Sequence, residues 1–445
     1  MAQNKKWLLA FMVVYVLGHI PFLLSGFGEP DGWRNGLTAL RLAKGLGYIP
    51  VRFPGFPVID FIYGTMADLF PSDTLWIYTN SLTLLITLVG IFYYFKIVHF
   101  HKLSSPLATV SLLFFMPTVF INASSSMDYL WTVTFILAAY WALLRGRAFR
   151  GGIFLGMAIG TRLTTGIFGL PFFIFLIWNP KIFPKKSSFR SSLFFVLATG
   201  CVVLACYLLL FMKFNFSFLS TLFPPRNFIR SGYYILQEIL GLPGTILFLG
   251  LLIRKGRENL NWNWETSLWS TIIIAYAALF LLKPEKIEYL IPMLPFLGLL
   301  VAQWLKKRAM IVLTALVVFN NVVSFMVVPP STQGFELRWI AKGVTWERYQ
   351  AYQNYFRDIS YLLQYPYEPD SRIVAGWHYP GIDYWLECPT YKAKQTDFLA
   401  HKVTFSWGPE KEKRKNIYLV QELHRGSPAD LPGNKVIMIP LPSTL

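Results

Sequence analysis

Charge is scarce in this sequence. Asp, Glu, Lys and Arg make up 14% of its 445 residues, against about 25% in an average soluble protein. Cysteine is scarcer still: of the three present, Cys201 and Cys206 share one apolar block, Cys388 stands apart, and no CxxC spacing occurs. That excludes a disulfide scaffold and a cysteine-held metal. Internal repeats and low-complexity tracts are missing too. What the chain has instead is apolar bulk, 54% hydrophobic and 17% aromatic, in blocks too long for one aqueous core to absorb. A cytosolic globular enzyme and a disordered protein are excluded, and a polytopic α-helical membrane protein is expected.

A bilayer-spanning helix needs about 20 mostly apolar residues. Candidate blocks lie at 7–25, 75–97, 105–122, 128–145, 152–178, 189–212, 232–253, 265–282, 286–305 and 309–328. The 152–178 block is interrupted by Thr161-Arg162-Leu163-Thr164-Thr165-Gly166. It reads as two short helices, a break tolerated where protein or a wet cavity covers it. The expectation is therefore about eleven hydrophobic helices. The first block follows Lys5-Lys6 without a small-residue cleavage site, so it reads as an uncleaved anchor.

The net charge of +18 is informative through its distribution. With the N-terminus cytoplasmic, the inner segments collect Lys5, Lys6, Lys96, Lys102, Arg145 to Arg150, Lys181 to Arg190, Arg254 to Arg257 and Lys306 to Arg308. This is the positive-inside pattern. The basic excess is thus topology signal plus attraction to anionic membrane lipid, and nucleic acid is not an expected partner. Acids run the other way: before residue 329 only Glu258 and Glu265 fall inside. The expected domains are a transmembrane domain over 1–328, with a first outer loop at 26–74, and an extracytoplasmic tail over 329–445. In the tail, 345–364 reads as an amphipathic helix, and Arg372–Trp377, Asn416–Glu422 and Lys435–Pro440 read as strands. A small C-terminal α/β domain is expected, in a cell membrane more characteristic of a prokaryote than of the endoplasmic reticulum.

The first outer loop carries the densest chemistry. Glu29-Pro30-Asp31 follows the first span directly. Proline disfavours helix for the residue before it, so the segment is expected to be extended, with Glu29 and Asp31 projecting to one side. Arg34, Thr38, Arg41 and Lys44 then recur at helical spacing opposite Leu37, Leu40, Ala43 and Leu46, the pattern of a helix lying in the membrane interface. Arg52-Phe-Pro54-Gly55-Phe56-Pro57 reads as a rigid turn returning one cation to the bilayer. Solvated loop acids or helix caps are the plain alternative for Glu29 and Asp31.

Three further features add to the loop. Asp128 ends a short outer turn, Asn122 to Asp128, where it is a helix cap or a second site carboxylate. Arg162 sits in the helix break, where an arginine at membrane depth calls for an anion; capping of helix carbonyls is its plainer role. Lys283, Glu285, Lys286 and Glu288 enter an apolar helix from its outer end beside Tyr289. They either face a wet cavity or pair with one another. Acids and cations at one membrane surface suit transfer of a sugar from a polyprenyl phosphate, with a base to take the acceptor proton and cations to stabilise the departing phosphate. Glu29 or Asp31 is the candidate base. Arg52, Arg162, Lys283 and Lys286 are the phosphate candidates, and Arg34, Glu285, Glu288 and Tyr289 the pocket candidates.

The order of these elements resembles the GT-C superfamily of polytopic glycosyltransferases that use lipid-linked sugars. The resemblance spans residues 7 to about 328. It rests on the Glu29-Pro-Asp31 motif, the amphipathic helix, the Arg52 to Pro57 turn, the Asp128 turn, the Gly156 to Arg162 stretch and Lys286-Ile-Glu-Tyr289-Leu-Ile-Pro292-Met-Leu-Pro295. It implies transfer from a polyprenyl-phosphate sugar, usually with inversion, and maps Asp31 to the loop-one catalytic carboxylate, alongside Glu29 and Asp128 as catalytic candidates. Many members have adjacent acids, whereas here proline separates them, and the choice between Glu29 and Asp31 stays open. The branch with protein O-mannosyltransferases and aminoarabinose transferases is the most similar, although the short tail leaves the acceptor, a glycan, lipid or protein, unassigned. Some members hold a divalent metal with loop acids, here Glu29, Asp31 and Asp128, but a monophosphate donor needs it less and no cofactor is expected. A transporter or lipid flippase is the alternative from another class, weakened by the lack of repeats. A diphosphate-using ligase or polymerase would have its long outer loop late in the chain.

Overall fold

The computed structural model describes residues 2–52, 54–103, 105–179, 182, 185–215, 239–256, 263–282, 286–331, 334–340, 343–365, 372–375, 378–388, 402–404, 416–420 and 435–439. Among them, five stretches are helical, long and apolar enough to cross a membrane: Lys6–Leu23, Ser72–Phe100, Ser188–Phe214, Trp264–Leu281 and Ile287–Trp304. Shorter apolar helices join them, among them Tyr129–Leu144 and Ala148–Thr161. The chain is a polytopic helical membrane protein.

The helices follow the apolar blocks and break where backbone chemistry demands it. After α1 (Ala2–Leu23), α2 (Pro30–Ala43), α3 (Pro57–Leu69) and α4 (Leu75–Phe100), the 105–122 block is not one span. It divides into α5 (Pro106–Phe114) and α6 (Pro117–Asn122), because Pro117 has no N–H to continue a helix and forces Met116 out of helical backbone. Helix α7 is Tyr129–Leu144. The 152–178 block breaks at Arg162, which is extended (φ −153°, ψ 109°) between α8 (Ala148–Thr161) and a 3-10 turn, Leu163–Phe168, that leads into α9 (Gly169–Trp178). Then come α10 (Lys185–Phe214), α11 (Gly241–Gly256) and α12 (Trp264–Leu282). The beginning of the 232–253 block lies outside the described residues. The 286–305 block starts as a 3-10 turn, Ile287–Met293, and becomes α-helical only in α13 (Leu294–Trp304), past Pro292. Helix α14 (Lys307–Val322) ends six residues short of the expected boundary, where the chain passes into β1 (Ser324–Ser331), paired antiparallel with β2 (Gly334–Ile340).

The chain forms two compact units. One comprises Met1–Ile20, Phe56–Ile59 and Leu82–Arg348; the other Pro21–Gly55, Asp60–Ser81 and Tyr349–Leu445. In the first, α8 lies directly on α10. Gly152, Gly156 and Gly160 form a stripe four residues apart, and a Cβ on them would come within 2.4 Å of the Phe195 carbonyl oxygen, 2.6 Å of Val202 Cβ and 2.5 Å of Cys206 Sγ respectively. Small residues at this spacing let membrane helices approach backbone to backbone. Tyr140, Phe168, Phe172 and Phe296 pack ring against ring in the interior, and Trp269 Nε1 donates to the Tyr140 hydroxyl at 3.0 Å.

In the second unit α2 packs on α16 (Tyr379–Glu387), with α15 (Gly343–Gln364) bringing Tyr355 and Phe356 against Trp33. Strands β3 (Arg372–Val374), β4 (Lys402–Thr404), β5 (Asn416–Val420) and β6 (Lys435–Ile439) form a parallel sheet in the order β4-β3-β5-β6.

The glycine stripe yields a stability prediction. Gly156→Leu forces Val202 and α10 away from α8, and overpacking of this kind costs about 1–3 kcal/mol. The variant is expected to unfold at lower temperature in detergent, and an unchanged melting temperature would contradict the close helix contact.

Candidate functional site

The loop after α1 turns through Gly26 (φ 70°) and Gly28 (φ 84°), a left-handed backbone that side-chain-bearing residues rarely adopt. Asn80 Nδ2 donates to the Gly26 carbonyl at 2.7 Å, which pins the turn. Glu29 is then extended (φ −72°, ψ 165°), but it is the N-cap of α2, with Pro30 as the first helical residue. The expected extended Glu29-Pro30-Asp31 segment therefore ends at Glu29. Proline's fixed φ suits the first position of a helix and its missing N–H costs nothing there. Asp31 falls in the first turn, where an acid is favoured by the helix dipole.

Asp31 is 6% exposed. Arg34 Nη1 donates to its Oδ1 at 2.9 Å, and Arg52 Nη2 stands 3.5 Å from its Oδ2. Two guanidinium groups thus flank one carboxylate, and the structure brings together three of the residues singled out from the sequence. Glu29 is half-buried, with its Oε1 oxygen buried. The helix start rests on the backbone of Phe27: a Cβ on Gly32 would lie 2.1 Å from the Phe27 carbonyl oxygen, and one on Gly36 would lie 2.5 Å from its ring. The glycine spacing of Gly32 and Gly36 is a signal that sequence reading passed over.

The basic side of α2 meets acids from late in the chain. Arg41 pairs with Asp383 at 3.1 Å and Glu387 at 2.8 Å, and Lys44 Nζ reaches Glu387 Oε2 at 2.9 Å. Helix α16 supplies both acids, some 340 residues later in the chain. Burial, together with the neighbouring Glu387 charge, pushes the Asp383 carboxyl above its ordinary range despite Arg41. Burial acts in the same direction on Glu387, but hydrogen bonds from Lys44 and Arg41 outweigh it and hold this carboxyl below the usual range. Nearby, the buried Asp60 accepts a hydrogen bond from Tyr48 at 2.7 Å. His378, stacked on Tyr355, lies 3.7 Å from Asp358.

A second cluster lies in the other unit. Arg162 and Asp128 form an ion pair in which Asp128 is fully buried and Arg162 is 6% exposed. Asp128 is the N-cap residue of α7 but makes no side-chain cap hydrogen bond; its carboxylate serves the arginine instead. The guanidinium lies over the rings of Tyr129, at 4.5 Å, and Tyr289, at 4.6 Å, cation–π contacts that gain strength where water is absent. Arg162 Nε is buried with no hydrogen-bond partner among the described residues. The anion that Arg162 calls for is therefore in the protein itself. Thr164 and Tyr276 hydroxyls approach to 3.3 Å beside it. Lys286 is half-buried at the start of the 3-10 turn that carries Tyr289. Glu288 is 8% exposed and lies 3.9 Å from Arg348. Lys283 and Glu285 lie outside the described residues. Among the described residues, no group of three or more His, Cys, Asp or Glu is placed to hold a metal ion.

Part of the chain matches a known sequence family. The pattern of glycosyltransferase family 87 matches residues 61–286, just over half of the chain. The matched range contains Asp128, Arg162 and Lys286, and it begins after the loop that holds Glu29, Asp31 and Arg52. Among proteins of curated function, none matches the chain.

Both charge clusters make measurable predictions. Asp128→Ala leaves a buried guanidinium without its anion and is expected to cost about 3–5 kcal/mol, whereas Asp128→Ala combined with Arg162→Met recovers most of it. Thermal unfolding of the two single variants and the double variant measures the coupling; additive losses would contradict the pair. Glu387→Gln is expected to lower stability by up to about 1 kcal/mol near neutral pH. Because the Glu387 carboxyl is held low in the folded protein, its contribution is complete above the ordinary carboxylate value of about 4.3 and is lost as pH falls through the lower folded value. The difference between variant and parent therefore closes on acidification below about pH 4.

Proposed function

Because the chain belongs to glycosyltransferase family 87, we propose that it is a glycosyltransferase that moves a sugar from a polyprenyl-phosphate donor to an acceptor at the extracytoplasmic membrane face. The observation that carries this reading is Asp31, a nearly buried carboxylate flanked by Arg34 and Arg52 immediately after the first membrane helix. A base that must take a proton from an acceptor hydroxyl needs fixed position and protection from bulk water. The two arginines supply the first and burial the second.

In the proposed step the acceptor oxygen bonds to the anomeric carbon from the face opposite the phosphate. The hydroxyl proton passes to the Asp31 carboxylate, with Glu29 as the alternative base. The bond between anomeric carbon and phosphate oxygen breaks, the electron pair leaves with the polyprenyl phosphate, and the sugar inverts. Cations stabilise the charge that grows on the leaving phosphate. Arg52, Lys283 and Lys286 are the proposed donors to it. Arg162 is a further residue proposed for the phosphate, its anion in the structure being Asp128. Arg34, Glu285, Glu288 and Tyr289 are the further residues proposed to bind substrate. The same reading includes a GT-C arrangement of eleven hydrophobic helices, a cytoplasmic N-terminus, an extracytoplasmic α/β tail and a monophosphate donor used without a divalent metal. The sugar and the acceptor (glycan, lipid or protein) are open within it.

The direct test is transfer from a radiolabelled polyprenyl-phosphate sugar by the purified full-length protein in lipid vesicles. Asp31→Asn is expected to lower turnover at least about 10²-fold, the contribution of a positioned general base, with membrane insertion unchanged. Glu29→Gln is expected to retain most of the activity. Full activity in Asp31→Asn would remove Asp31 from the mechanism. Lys286→Ala is expected to raise the apparent KM for the donor more than that for the acceptor, and equal effects would argue against a phosphate role.

A further inference from the structure

At the end of α7 remote from Asp128, two cations share one indole ring. Lys96, near the end of α4, holds its Nζ 4.2 Å from the Phe92 ring centroid and 5.6 Å from that of Trp141 in α7. Arg145, the residue that closes α7, places its guanidinium carbon 5.7 Å from the same Trp141 ring. The ends of the two helices are tied by a hydrogen bond between the Tyr140 hydroxyl and His101 Nε2 at 3.1 Å. Trp269 already donates to the Tyr140 oxygen, so the tyrosine proton goes to His101. Burial lowers the histidine's pKa to about 4 and keeps that ring neutral. Phe100 packs edge-on against Trp141 at 6.2 Å.

No acid answers these cations. Asp128 is the only Asp or Glu between Leu75 and Gln237, and it is taken by Arg162 at the opposite end of α7. Among the described residues, neither Lys96 nor Arg145 forms an ion pair. A ring face attracts each cation but carries no net charge, so the repulsion between the two stands. Their depth identifies what can relieve it. The span Ser72–Phe100 ends one helical turn after Lys96, and Phe92 and Phe100 on either side of it are 42% and 40% exposed. A lysine in the last turns of a span carries its ammonium to headgroup level, where the anion within reach is a lipid phosphate.

The geometry points to a binding site for the headgroup of one anionic phospholipid, its phosphate held by Lys96 from α4 and Arg145 from α7 beside Trp141. The phosphate supplies the negative charge that the two cations lack, and the exposed Phe92 and Phe100 rings give its acyl chains an apolar surface. Basic residues at the membrane surface attract anionic headgroups, each by an amount equivalent to about fivefold in affinity. The site lies at the other end of α7 from Asp128 and does not depend on the proposed sugar transfer.

The test offers the full-length protein, in a mild detergent, equal amounts of phosphatidylglycerol and phosphatidylcholine with identical acyl chains, and measures the retained lipid by mass spectrometry after extraction. The parent protein is expected to retain phosphatidylglycerol in preference. Lys96→Gln and Arg145→Gln are each expected to reduce that preference about fivefold, and Lys96→Arg to keep it. Lys213→Gln removes a single cation, 5.7 Å from the Phe214 ring near the end of α10, and is expected to leave the preference unchanged. Equal retention of the two lipids by the parent, or a preference untouched by Lys96→Gln or by Arg145→Gln, overturns the proposal. An equal loss in Lys213→Gln would mean diffuse attraction to basic charge and overturns it as well. Displacement of phosphatidylglycerol by added inorganic phosphate would reassign the two cations to a soluble anion, with the same result.

Discussion

A guanidinium held among membrane helices is stable only if an anion meets it, and in the helical unit much follows from how Arg162 and Asp128 meet that demand. Their ion pair joins the break after α8 to the turn before α7. With Asp128 engaged by arginine, the first turn of α7 gives up its side-chain cap. Tyr129 and Tyr289 close over the cation from two elements, so the 3-10 turn that carries Tyr289 is held to the same point. Replacing the pair with apolar side chains would often be no less stable. A buried pair kept at a helix break therefore speaks for placement of groups rather than for stability alone.

The other unit solves a similar problem with more water available. Asp31 sits between Arg34 and Arg52, and Arg41 and Lys44 on the same helix engage Asp383 and Glu387 of the tail. Helix α2 is thus gripped at both ends by charge, with Phe27 packed beneath its glycines. A loop that would otherwise be a mobile connection becomes a fixed support for a carboxylate. Fixing a catalytic group in advance removes orientational freedom that the reaction would otherwise have to overcome. The tail in this view is part of what positions the loop.

Much of the architecture was legible from composition and spacing. Apolar length located the helices, and the polar interruption around Arg162 located the break between α8 and α9. Prolines explain the departures: Pro117 divides a block that hydropathy reads as continuous, and Pro30 starts α2 two residues earlier than an extended Glu29 to Asp31 segment allows. Hydropathy averages over side chains and is blind to a missing N–H. The glycine stripe of α8 was equally visible in the sequence, but its meaning depends on which helix faces it, and that is α10.

By itself, then, the sequence determined that the chain lives in a membrane, where most of its apolar helices lie and where one of them breaks at Arg162, because the cost of burying polar backbone and charge acts residue by residue. Only the tertiary structure decided the partners. That Arg162 is answered by Asp128, Asp31 by Arg34 and Arg52, and Arg41 by acids from the far end of the chain follows from which helices pack together. Such packing is set by long-range contacts whose energies no local pattern records.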